Sequence, residues 1–147
     1  MRKFRFNLQP VLRVREQAER LKQKEFAEAV QAIRRCERDI LYFLSERDAA
    51  RDGLRAAEER HIQPWQLVFH RRYLNHLDTQ LHRLHGELLN LSRKAEQKRL
   101  ELVGASREKK SLDKLKERRR KEYEYEAGRE EQKTFDEVGG IYRRRVR

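Results

Sequence analysis

Few side chains in this sequence are spaced for chemistry. Asp78, His82 and His85 stand at i, i+4 and i+7, so one helical face holds three potential metal ligands. Nothing in the sequence supplies the outer partners that orient ligating imidazoles, and the three fit better as polar flanks of a leucine stripe. Cys36 is the single cysteine, which excludes an intramolecular disulfide and fits a reducing compartment. A lone cysteine on a helix behaves mostly as a small buried hydrophobe. No Gly-rich phosphate loop and no zinc-type spacing of cysteines is present. The expectation is therefore a chain with no catalytic residue, no cofactor and no metal, and not an enzyme.

Charge and aromatic groups are the chemistry that remains. The 147 residues carry a net charge of +12, and 42% are charged while 37% are hydrophobic. That balance is too polar for an ordinary packed core but sufficient for a narrow helical seam. Acidic partners are implied, whether protein, nucleic acid or anionic lipid. The charges come in blocks. Residues 1–24 hold eight basic and two acidic side chains, and 107–121 hold nine basic and three acidic. Residues 122–137 reverse the sign, with seven acidic and two basic. Aromatic residues gather at Tyr42-Phe43 and at Trp65, Phe69 and Tyr73, with Tyr123, Tyr125 and Phe135 further on.

The elements that must position these groups are helices. The sequence is dominated by good helix formers and holds only six glycines and two prolines. Phe26, Val30, Ile33, Ile40, Leu44 and Leu54 fall on a 4/3 spacing, with Glu37, Arg47 and Arg51 filling the gaps and Cys36 one position off. Leu74, Leu77, Leu81, Leu84, Leu88, Leu91 and Ala95 alternate by three and four without a break. Val11, Val14, Ala18 and Leu21 form a neighbouring stripe. Between the two runs lies His61-Ile62-Gln63-Pro64-Trp65, where the residue before proline is pushed out of helical geometry and Pro64 can start a new helix.

The fold class expected is all-α, a long antiparallel two-helix coiled coil with the second helix the longer. The chain is read as a single hairpin, 1–147: helix 1 over about 8–60, a turn at about 61–65, helix 2 over about 65–137. Asn7 would cap the first helix, Gly139-Gly140 would end the second, and a basic tail would fill 138–147. A turn near residue 63 makes facing positions add to about 126. Both basic blocks then meet at the end away from the turn, and both aromatic groups meet near it. The residues expected at the basic end are Arg13, Arg15 and Arg20 on helix 1 and Lys109, Lys110, Lys114, Lys116, Arg118 and Arg119 on helix 2, with Tyr123 beyond. Near the turn, the five aromatics Tyr42, Phe43, Trp65, Phe69 and Tyr73 cannot all fit a two-helix seam, so some should be exposed and mark a binding surface.

Phe4-x-Phe6-x-Leu8-x-x-Val11-Leu12-x-x-Arg15-Glu16 resembles the amino-terminal signature of the flagellar export protein FliJ family. Lys109-Lys110-x-Leu112-x-Lys114-Leu115-Lys116-Glu117-Arg118, followed by Gln132-Lys133-x-x-Asp136-Glu137, resembles its other end. The resemblance spans the chain. It implies a non-enzymatic stalk of the bacterial flagellar type III export apparatus, cytoplasmic and peripheral at the inner membrane. It also implies partners: the hexameric export ATPase, into which the stalk inserts, the cytoplasmic domain of the export gate, and export chaperones. The basic group above would then face the ATPase, where exposed ion pairs, each individually weak, let a stalk engage the ring without locking to it, and Tyr42, Phe43, Phe69, Tyr73 and Leu77 would face the gate. Two rivals share the composition. One is a basic coiled coil that binds nucleic acid, although the acidic block would repel a phosphate backbone and no base-reading module is recognisable. The other is the equivalent stalk of a virulence secretion system.

Overall fold

The computed structural model describes residues 3–145, with side chains described for residues 3–140. Two helices account for nearly all of it, α1 (Gln9–Glu59) and α2 (Pro64–Arg145), and the described residues contain no strand. The helices are antiparallel and packed against each other, α2 being the longer at 82 residues against 51. This is the fold class read from the heptad spacing.

α1 opens from a turn in which the Gln9 amide donates to the Phe6 carbonyl at 3.0 Å and the Leu12 amide to the Leu8 carbonyl at 2.9 Å. Asn7 lies in this turn. Pro10 falls where helical amides have no partner, so its missing N–H costs nothing. α1 closes with His61 at φ 52°, the left-handed conformation that lets a chain leave a helix. α2 begins at Pro64. The Gln66 side chain reaches back to accept from the Gln63 amide at 3.1 Å, while the Gln66 amide donates to the Gln63 carbonyl at 3.0 Å. This is half of a capping box, built on glutamine.

The chain divides into two compact units. The turn unit comprises residues 21–102. Its core is Cys36, Ile40, Leu81 and Leu84, each under 8% exposed, with Phe43, Leu44, Leu88 and Leu91 packed on it. Leu77, Ala57 and Ala95 are also buried. The stripe on α2 runs as the heptads predict. On α1 it departs by one residue: Cys36 is in the seam at 4% exposure and Glu37 faces solvent. A straight helix drifts against a strict heptad, and a step of three from Ile33 brings a small apolar thiol inward in place of a carboxylate.

The terminal unit comprises residues up to 20 together with those from 103 onward. Its seam is anchored by Leu12, 2% exposed. Here α2 does not end near residue 137 but continues as helix through Gly139-Gly140 to Arg145. Glycine costs about 1 kcal/mol in a helix and does not of itself stop one. Residues 138–145 of the expected tail are thus helical, and the side chains of Arg143, Arg144 and Arg145 lie outside the described residues. No helix among the described residues is long and apolar enough to cross a membrane.

Candidate protein-binding surfaces

In the terminal unit the expected basic residues come together, but not all are available. Arg15 is paired with Glu108. Lys109 reaches Glu19 at 3.2 Å, and Ser106 donates to the same carboxylate at 2.5 Å. The Ser106 hydroxyl and then the Lys109 ammonium hold the Glu19 carboxyl below its usual range. Arg118 lies 3.7 Å from Glu122 one helical turn on. Arg13, Arg20, Lys110, Lys114, Lys116 and Arg119 form no ion pair with the described residues. Composition alone does not find the neutralising Glu19 and Glu108, because which cation each one meets, Lys109 or Arg15, is set by the local register across the seam.

The segment before α1 adds an element that periodicity does not indicate. Residues 3–8 lie along α2, and the Phe4 ring sits 5.7 Å from the Tyr123 ring at a 47° tilt. Between them is an open groove of about 520 Å³, with Phe6, Leu8 and Leu115 as its apolar floor and Lys3, Arg5 and Arg119 at its rim. Tyr123 is therefore half-buried and engaged, and the groove around it is a concave feature of this unit.

In the turn unit the aromatic residues divide. Tyr42, Phe69 and Tyr73 are 60%, 68% and 41% exposed, and Trp65 and Leu41 are as open as these. Phe43 is half-buried against the Cys36–Leu84 core with its edge to Tyr42 at 5.5 Å. Leu77 is 2% exposed, so it belongs to the seam and reaches no partner unless the seam opens. The Tyr73 hydroxyl donates to Glu46 at 3.4 Å; partial burial, then the Glu46 charge, raises its pKa. Asp78 faces Arg47 across the seam at 3.8 Å, His82 and His85 are exposed, and the described residues contain no group of three or more His, Cys, Asp or Glu placed to hold a metal ion.

A four-membered charge ring also occupies the turn unit. Lys22 contacts Glu25 at 3.2 Å and Glu101 at 3.0 Å, and Lys98 contacts the same two at 3.2 and 3.4 Å. Each lysine hydrogen-bonds both carboxylates. The bonds hold both carboxyls below, and both ammonium groups above, their ordinary values. Lys98 interrupts the heptad stripe, and the ring explains how a charge is tolerated there. A polar layer of this kind fixes register, because any slip leaves charges unpaired.

Together these features define an antiparallel two-helix coiled coil that presents a basic groove in one unit and exposed aromatics in the other. The family model described as Flagellar FliJ protein matches residues 4–147, and the chain belongs to that family, a component of the type III export apparatus. Among solved structures, a YscO homolog from Chlamydia trachomatis superposes with a TM-score of 0.57, covering 97% of this chain and 96% of that one at 20% identity. At that identity the likeness is one of fold. No curated protein matches the chain.

Proposed function

We propose that the chain binds the hexameric ATPase of the export apparatus through its terminal unit and stimulates ATP hydrolysis, and that the turn unit couples it to the export gate. The observation that carries this reading is the clustering of Arg13, Arg20, Lys110, Lys114, Lys116 and Arg119 without carboxylate partners around one end of the seam. Solvated cations of this kind give fast, salt-sensitive attraction to an acidic wall and little resistance to sliding. The Phe4–Tyr123 groove adds apolar area that a purely electrostatic contact lacks. Tyr42, Phe69 and Tyr73 supply the large, rigid anchors typical of protein interfaces, which suits a tighter contact with the gate. Export chaperones share these surfaces as transient partners. The chain then works in the cytoplasm, peripheral to the inner membrane.

The test is capture of partners from a lysate of the source cell, with and without nuclease, followed by salt titration of binding to the purified ATPase. Nuclease-resistant capture of the ATPase, weakening as salt rises through about 0.1 M, supports the reading. Capture that nuclease abolishes assigns the basic surface to nucleic acid and overturns it.

A further inference from the structure

Two apolar stripes of the terminal unit are left uncovered. The first is on α2 beyond Tyr123. Ala127, Thr134, Phe135 and Val138 stand at i, i+7, i+8 and i+11 on one helical face, which Glu131 at i+4 interrupts with a charge. No described residue of α1 lies against them: Phe135 is 75% exposed, Val138 62%, and every residue of 128–140 is open. The second is at the start of α1, where Val11 and Val14 are 43% and 61% exposed and lie, with the half-buried Ala18, beside the seam that buries Leu12.

The stripes differ in charge. Seven acidic and two basic residues accompany the first, over 122–137, whereas the second shares its unit with the nine basic and three acidic residues of 107–121 and has Lys3, Arg5 and Arg13 close to it in sequence. Each is what the other needs: an apolar face flanked by the opposite sign. They cannot meet within one chain, because α2 is a single unbroken helix from 103 to 145 and cannot fold its far segment back onto α1.

We propose that a second copy of the chain covers both, in a two-fold dimer in which the α2 overhang of each copy lies antiparallel on the terminal unit of the other. Each overhang completes a three-helix bundle with its partner's α1 and α2. Aligning the acidic block on the basic one brings Glu126 opposite Arg118 and Glu130 opposite Lys114 of the other copy. It brings Phe135 to the level of Lys109, where Arg15 meets Glu108 and Val14 is next in line. The arrangement is isologous, so it closes at two copies and does not propagate. It occupies the basic groove, so dimer and ATPase complex are alternatives. The dimer itself needs no ATPase and stands or falls separately from that reading.

The full chain is tested alone by sedimentation velocity across a dilution series. The expected result is a reversible monomer–dimer equilibrium, weakened at least about tenfold by raising salt from low to half molar and by Phe135→Ala with Val138→Ala. Those two side chains lie outside the seam, so helicity and melting of the monomer should be unchanged. In a Cys36→Ala background, chains carrying Val14→Cys mixed with chains carrying Phe135→Cys should form the mixed disulfide, which marks the register. A chain monomeric at every concentration, a dimer indifferent to Phe135→Ala with Val138→Ala, or growth into open polymers would each overturn the proposal.

Discussion

Cys36 donates its thiol hydrogen to the main-chain carbonyl of Leu84, 3.5 Å away across the seam. Burial, and then the nearby carboxylates Glu87, Asp39 and Glu37, push the thiol's pKa up. The thiolate is the reactive form, so this thiol should be inert in the folded state. Alkylation of Cys36 by a maleimide at neutral pH should be at least about a hundredfold slower than in denaturant, because it must wait for local opening. Equal rates would mean that the helices do not close over Cys36.

Leu84 is 4% exposed and central to the same cluster. Leu84→Ala should lower stability by roughly 2–5 kcal/mol, toward the low end where a two-helix seam lets water in. Chemical denaturation checks this, with Lys94→Ala, on the outer face, expected to stay within about 0.5 kcal/mol. An unmoved transition for Leu84→Ala would remove the heptad account.

The Lys22–Glu25–Lys98–Glu101 ring predicts a pH dependence with two edges. The carboxyls are depressed, so their contribution is full above the unfolded value of about 4.3 and is lost as pH falls through their lower folded values. The ammonium groups are raised, so theirs is full below about 10.4 and is lost as pH climbs through their higher folded values. The melting-temperature gap between wild type and Glu25→Gln should therefore be flat near neutrality and shrink below about pH 4. A gap that persists undiminished at pH 3 would show that the ring contributes nothing.

His61 holds a left-handed φ that glycine adopts without strain. His61→Gly should stabilise the hairpin by up to about 1 kcal/mol, while His61→Val should destabilise it, since a branched side chain tolerates that conformation worst. Thermal melts of the two variants decide it. Equal melts would place the reversal elsewhere.

The heptad stripe from Leu74 to Ala95 and the turn before Pro64 make the hairpin legible in sequence, because burial of one face and the loss of helical geometry before proline are both local rules. Three features escape those rules. Cys36 replaces Glu37 in the seam because drift accumulates over α1. α2 runs through Gly139-Gly140 because glycine only weakens a helix. The Phe4–Tyr123 groove depends on residues 119 positions apart, which no periodicity connects. Of the candidate binding residues, the exposed Tyr42, Phe69 and Tyr73 follow from the excess of aromatics, whereas Leu77, a gate-facing candidate only through the family resemblance, is a heptad leucine that the seam buries. The basic cluster was visible as composition. Which of its cations are neutralised depends on Glu19 and Glu108 across the seam, and so on register.

The central claim is that the unpaired cations of the terminal unit engage and activate the ATPase, and stimulation of ATP hydrolysis by a charge-reversed chain tests it most directly. Lys110, Lys114, Lys116 and Arg119 are changed together to Glu, and Tyr42→Ala with Phe69→Ala serves as the comparison, altering exposed residues of the turn unit. Both proteins should retain wild-type helicity by circular dichroism, since none of these six side chains is buried. The account predicts that the charge-reversed chain fails to stimulate the purified ATPase, while the aromatic variant stimulates normally and loses binding to the gate. Normal stimulation by the helical, charge-reversed chain would contradict it.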